Sequence, residues 1–188
     1  VYRLAERLAL EEGADLEIVR AAALLHDAQG SASGQESRKE HHLASADFAG
    51  EILSAEGWPA ERIGAVQHCI RAHRFRAGER NEAPQSLEAK VLFDSDKLDV
   101  IGAIGVARVI AYAVLAGTPI FTQPSQQFIE TGKEEPGEAH SAYHEFIFKL
   151  VKIKERMFTR GGKALAEERH AYIVGYFQRL QAEFRGEL

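Results

Sequence analysis

Residues 16–25 read Leu-Glu-Ile-Val-Arg-Ala-Ala-Ala-Leu-Leu and run straight into His26-Asp27. Wound at about 3.6 residues per turn, the apolar side chains of this stretch cover nearly the whole circumference of a helix. Such a helix belongs at the centre of a packing, so the rest of the chain must supply helices that cover it. Asp15 is placed to cap its first turn, and Gly13 offers a left-handed stop for a preceding helix from the chain start to about Glu12, with Leu4, Ala5, Leu8 and Ala9 on its stripe.

The covering helices are readable downstream. A third begins near His42, carries Ala44, Phe48 and Ile52 at four-residue spacing, and closes at Gly57. Pro59 suits the first residue of a fourth, where its missing N–H costs nothing, and Ile63, Val66, Ile70 and His73 share one face of it. A polar stretch, 74–86, reads as a connection. The fifth apolar pattern spans Leu87 to about Leu115, with Gly102 and Gly105 marking close packing or a break. A proline-rich surface excursion over 117–137 has the length of a functional lid. Two amphipathic helices follow, at about 139–157 and 162–184. No period-2 alternation is long enough for a strand, so the expected fold class is all-α. The expected organisation is a helical core over 1–116, a loop or lid over 117–138, and a C-terminal helical extension over 139–188 packed on the core.

A length of 188 residues with 45% hydrophobic and 27% charged side chains fits one ordinary globular domain. The net charge of −5 gives no electrostatic reason to expect nucleic acid as a partner, and no basic run suggests a membrane surface. An anionic substrate is still compatible, because a bound divalent metal supplies positive charge locally. Cys69 is the single cysteine, which rules out an intrachain disulfide and a thiolate metal cluster; the expected setting is the reducing cytoplasm. No signal peptide is visible, and the apolar runs are interrupted or too short to span a bilayer. Val1 already lies inside a helical pattern, so the natural N-terminus is expected upstream. Oligomeric state is not readable.

A His-Asp pair alone is a weak signal, equally explained as a solvated helix end. Asp96 changes the balance. It falls on the helical face of Ala89, Leu92, Phe93, Val100 and Ala103, and is expected to point into the core. An unpaired carboxylate buried there costs several kcal/mol, so a buried one is normally paired with a cation, protonated or bound to metal. A divalent ion held by imidazole nitrogen and carboxylate oxygen would resolve the burial. His73 continues an apolar stripe, as either a hydrogen-bonded core residue or a ligand. His42 precedes an amphipathic helix and either caps it or faces a site. His41 and His68 have weaker claims, and His140, His144 and His170 read as surface or packing residues.

The set resembles the HD-domain phosphohydrolases: His26-Asp27 closing an apolar helix, then His42, His73, and Asp94-Ser95-Asp96-Lys97-Leu98-Asp99 running into Ile101-Gly102-Ala103-Ile104-Gly105. Within them it is most similar to the small bacterial branch of predicted HD hydrolases, some of which are manganese-dependent nucleoside-triphosphate pyrophosphohydrolases. The likeness extends to His144-Glu145-Phe146, Lys149-Leu150, and Thr159 through Ala166 to Arg169-His170. It implies an HD-domain helical bundle with His26, Asp27 and Asp96 as metal ligands. A further ligand histidine is expected upstream of Val1; its lack here means either a missing N-terminus or a lost ligand. Where some relatives carry a glutamate after the pair, this chain has Ala28, Gln29 and Gly30.

The function so implied is hydrolysis of a phosphorylated small molecule, in the first place a nucleotide, by metal-activated water. Mn or Mg is the expected cofactor, with Fe, Co or Ni compatible. Asp27 is the candidate catalytic residue, both ligating the metal and orienting the water, and His42, His73 and Lys97 are candidate phosphate contacts. Lys97 reads equally well as an ordinary exposed lysine. The competing reading is a non-catalytic metal- or nucleotide-binding sensor working through the 117–137 excursion.

Overall fold

The computed structural model describes residues 1–30, 37–76 and 82–188, with the side chains of 37–40 left aside. Among the described residues every regular element is helical, in agreement with the all-α expectation. The chain divides into two compact units, residues 1–96 with 157–162, and residues 97–156 with 163–188.

The first unit holds α1 (Tyr2–Glu12), α2 (Leu16–Leu25), α3 (Ser37–Ala55), α4 (Ala60–Ala72) and α5 (Leu87–Leu98) up to Asp96. Gly13 ends α1 in the left-handed conformation, φ 77°, as its lack of a Cβ permits. Asp15 opens α2, its carboxylate accepting from the amides of Glu17 and Ile18 and from the Arg62 guanidinium. The Arg62 pairing, with the Ile18 amide, holds the Asp15 carboxyl below the usual carboxylate range. Residues α2 packs against are on α1, α3 and α4, which makes it the central helix expected, although Leu24 faces solvent. The core gathers Leu8, Val19, Ala22, Val66, Ile70, Leu92 and Phe93.

Two boundaries differ from expectation, and the break left open between Leu87 and Leu115 is present. Pro59 is the N-cap of α4, one residue earlier than its expected place. Helix α3 starts at Ser37 rather than near His42, which sets both His41 and His42 inside it. The long fifth pattern is two helices, α5 and α6 (Gly102–Leu115), parted at residues 99–101, where Gly102 takes φ 73°. The loop expected from Gln29 to Gly34 lies outside the described residues from 31 onward.

That parting corrects the reading of Asp96 as a core carboxylate. Val100 and Ala103 lie beyond the end of α5, so the inward face projected through them is not one continuous surface, and Asp96 is half-buried near the helix end. Among the described residues the fully buried carboxylate is Asp94. It is answered by hydrogen bonds rather than by a cation: the amides of Phe158 and Thr159 donate to it at 2.9 and 2.7 Å, and the Thr159 hydroxyl at 2.6 Å. Burial pushes its carboxyl above the ordinary range, and those donors, Thr159 foremost, pull against that shift. The same segment is fastened again where the Gly161 amide donates to Glu12 and where Phe158 meets the Phe93 ring edge-on at 5.0 Å. Gly162 must remain glycine, since a Cβ there would run into the Asp94 carboxylate and the Thr159 hydroxyl.

The second unit holds α6, α7 (Gln126–Thr131), α8 (Ala142–Phe148), a 3-10 segment (Leu150–Arg156) and most of α9 (Arg160–Phe184). The single helix expected over 139–157 is thus a short α-helix followed by 3-10 turns. Phe146 of α8 stacks on Phe177 of α9 at 4.4 Å, with Ile173 and Ile153 buried in the same unit. His144, expected at a surface or in packing, is fully buried, with Nδ1 beside the Ser141 hydroxyl and Nε2 3.0 Å from Glu138. Glu138 also accepts from the amide and hydroxyl of Ser125, the residue that caps α7, and so joins the excursion to α8.

Replacing Asp94 by Ala leaves three buried donors without an acceptor and is expected to cost about 3 kcal/mol in urea unfolding. A loss under about 0.5 kcal/mol, the range of an ordinary surface change, would contradict the tether. Glu138 supplies a pH signature. Its hydrogen bonds from His144 and from the Ser125 amide pull its carboxyl down from 4.5 to about 2. A folded-state value below the unfolded one adds stability above pH 4.5, lost as pH falls toward about 2. The unfolding midpoint of Glu138→Gln is therefore expected to vary less with pH across that window than that of the unaltered protein.

Candidate metal centre

Helices α2 and α4 end alike. His26 is the C-cap of α2 and His73 the C-cap of α4. Each turns its ring back onto a carbonyl three residues earlier, His26 Nδ1 to Ala23 at 2.9 Å and His73 Nδ1 to Ile70 at 2.6 Å. The last turn of a helix leaves carbonyls without helical partners, and a histidine there can satisfy one. A carbonyl only accepts, so Nδ1 is the donor in both rings, and in the neutral imidazole Nε2 then carries the lone pair. Because α2 and α4 pack together, the two rings meet edge-on with centroids 5.2 Å apart.

Asp27 stands between the lone pairs. Its Oδ2 is 3.5 Å from His26 Nε2, and its Oδ1 is 3.6 Å from His73 Nε2 and 3.2 Å from His41 Nε2. The peptide after it folds back, with the Gly30 amide on the Asp27 carbonyl at 2.8 Å and the Gln29 amide on the Ser45 hydroxyl of α3 at 3.2 Å. The histidine rings are largely enclosed, whereas the Asp27 side chain is 55% exposed, so water and a ligand can reach it.

The distances among Asp27, His41 and His73 fit ligands around a common ion, with His26 facing the other carboxylate oxygen. At metal–ligand bonds of about 2.1 Å, neighbouring ligand atoms of an octahedral or tetrahedral shell stand roughly 3.0 to 3.4 Å apart. Separations of 3.5 and 3.6 Å are too long for hydrogen bonds and close to such an edge. Asp27, His41 and His73 form a group whose ligand atoms all lie within 4.8 Å of one another. The donor set is mixed nitrogen and oxygen, suited to a divalent first-row ion or Mg.

Of the residues singled out in the sequence, the structure brings together His26, Asp27 and His73, and places His42 beside them, its ring 6.4 Å from that of His73. His73, expected to contact phosphate, lies with Asp27 and His41 in a group that could hold a metal ion. Asp96 closes the first unit on α5, and Lys97 opens the second, half-buried in the last turn of that helix. His41 was undervalued in the sequence. With α3 thought to start near His42, its neighbour fell outside the helix; a start at Ser37 puts His41 inside it, opposite the end of α4.

Residues 1–101 match the HD domain family, and the chain belongs to that family. It is accordingly an enzyme of the metal-dependent phosphohydrolase class that this superfamily comprises. It is 32% identical over 187 residues to the uncharacterised protein YpgQ of Bacillus subtilis, covering 99% of this chain and 82% of that one. The crystal structure of YpgQ in complex with ADP superposes with a TM-score of 0.71 at 30% identity, over 97% of this chain and 84% of the other. An HD-superfamily hydrolase from Bacillus thuringiensis gives 0.72 at 27% identity, over 98% and 82%.

Proposed function

We propose that this chain hydrolyses a phosphoanhydride or phosphoester bond of a nucleotide, at the site built around Asp27. The observation that carries the reading is the convergence of two helix-end histidines, each held with its Nε2 lone pair outward, on one solvent-accessible carboxylate. The complex of YpgQ with ADP supports a nucleotide as the ligand class.

His26 and Asp27, with Asp96 at the end of α5, are assigned as metal ligands; His41 and His73 line the other side of Asp27. When bound, a divalent cation supplies Lewis acidity and positive charge against phosphoryl oxygens. Mn or Mg fits the donor set best, and Fe, Co and Ni fit its chemistry too. Asp27 is the catalytic residue of this scheme. Its exposed carboxylate accepts a hydrogen bond from a water and so aims the oxygen at phosphorus. A new P–O bond forms as the bond to the leaving phosphate or alkoxide oxygen breaks, and the water's proton passes to solvent or the leaving group. His42 and Lys97 are assigned to phosphate contact. The 117–138 segment is assigned as a lid, and 139–188 as an extension of the core.

The test is a metal-supplemented assay against a nucleotide panel, with products identified by phosphorus NMR. Mn-dependent release of pyrophosphate from a nucleoside triphosphate is the expected result; release of single phosphates would assign a phosphatase instead. Asp27→Ala is expected to lower kcat by roughly two orders of magnitude or more, as loss of both orientation and charge implies. Metal and nucleotide binding without turnover of any compound would overturn the enzyme reading in favour of a sensor.

A further inference from the structure

Arg74 directly follows His73, where the chain leaves α4. One of its guanidinium nitrogens, Nη1, lies 3.0 Å from Nδ1 and 3.4 Å from Nε2 of His41. The two ring nitrogens face different directions in the imidazole plane, and a donor in line with one lone pair would stand well away from the other. Lengths so nearly equal place the guanidinium over the face of the ring. His41 Nε2 is in turn 3.2 Å from Asp27 Oδ1, so a permanent cation stands one ring away from the central carboxylate. Arg74 is half-buried.

We propose that Arg74 binds the substrate's phosphate chain, an inference that rests on the hydrolase reading given above. Two physical points favour it. First, a polyphosphate brings several negative charges to a site whose own exposed centre is a carboxylate, in a chain of net charge −5, so charge beyond one metal ion is needed beside Asp27. Second, the planar fork of arginine takes two oxygens of one phosphate or spans two phosphates, a geometry that a lysine point charge cannot reproduce. Arg74 offers no metal-ligating atom. Its removal therefore separates phosphate recognition from metal retention, which no change at the histidines or at Asp27 can do.

Arg74→Ala and Arg74→Lys test the assignment in the full chain, with Mn2+ present. The Ala variant is expected to raise KM for a nucleoside triphosphate roughly ten-fold or more with kcat much less affected, the pattern of lost uniform binding. Calorimetric affinity for inorganic pyrophosphate should fall by a similar factor, and Lys should recover only part of both. Mn2+ affinity, titrated with the metal alone, should stay within about two-fold, since ligand atoms are unchanged. Unchanged KM and pyrophosphate affinity in an active Arg74→Ala enzyme would overturn this inference and leave the hydrolase reading intact. A parallel fall in Mn2+ affinity in both variants would also overturn it, by showing that Arg74 only props His41. An unaltered protein that neither hydrolyses nucleotides nor binds pyrophosphate would remove the hydrolase reading and this inference together.

Discussion

The site depends on a bond that looks like routine helix termination: an imidazole Nδ1 donating to a carbonyl one turn back. It occurs twice, at His26 and at His73, and each time it does two jobs. It satisfies a carbonyl that the ending helix leaves over, and it fixes which ring nitrogen carries the proton. Two helices that pack side by side and stop at the same level thereby present two lone pairs to the space that Asp27 occupies. The packing of α2 on α4 is thus what brings His26, His73 and Asp27 together, and the apolar residues Val19, Ala22, Val66 and Ile70 serve the candidate site through position alone.

A second constraint holds the first unit together. Asp94 is a charge sealed from water, and the chain answers it with the segment around Phe158 and Thr159, more than sixty residues later. Residues 157–162 belong to the first unit for this reason, although the sequence on either side of them belongs to the second. Gly161 and Gly162 give the backbone the close approach this needs: a Cβ at Gly162 would collide with Asp94, and one at Gly161 would press on Leu8 and Glu12. The Asp94-Ser95-Asp96 triplet therefore divides its labour. The first aspartate anchors a distant strip of chain, and the third, half-buried two residues on, is left at the end of α5.

Much of this was legible in the amino-acid sequence because helix periodicity and capping are local. The extent of α1 and α2, the Asp15 cap and the left-handed Gly13 follow from a few neighbouring residues each. The pair His26-Asp27 and the inward His73 were visible by the same logic. What periodicity does not encode is where one helix ends and the next begins when both are apolar. Treating 87–115 as continuous carried the face of Asp96 across a break, and pointed the burial argument at the wrong carboxylate. Asp94 was not legible because its partners, the amides of Phe158 and Thr159 and the Thr159 hydroxyl, lie more than sixty residues away and follow no local spacing. Arg74 was not singled out, and His41 was given only a weaker claim, for a related reason: their nearness to Asp27 comes from how α3 and α4 pack, which periodicity does not encode. Among the described residues no single helix is long and apolar enough to cross a membrane, as the apolar runs had indicated.

The central claim is that the lone pairs of two helix-end histidines and the Asp27 carboxylate are held ready for one divalent cation. Electron spin-echo modulation of Mn2+ added to protein carrying nitrogen-15 histidine reads that directly, because only a coordinated imidazole couples strongly to the metal's electrons. The account predicts nitrogen-15 coupling from the bound ion, with the directly bonded histidine signal reduced in His26→Ala. A tightly bound Mn2+ that couples to water protons alone would show that the metal sits elsewhere, and would contradict the account.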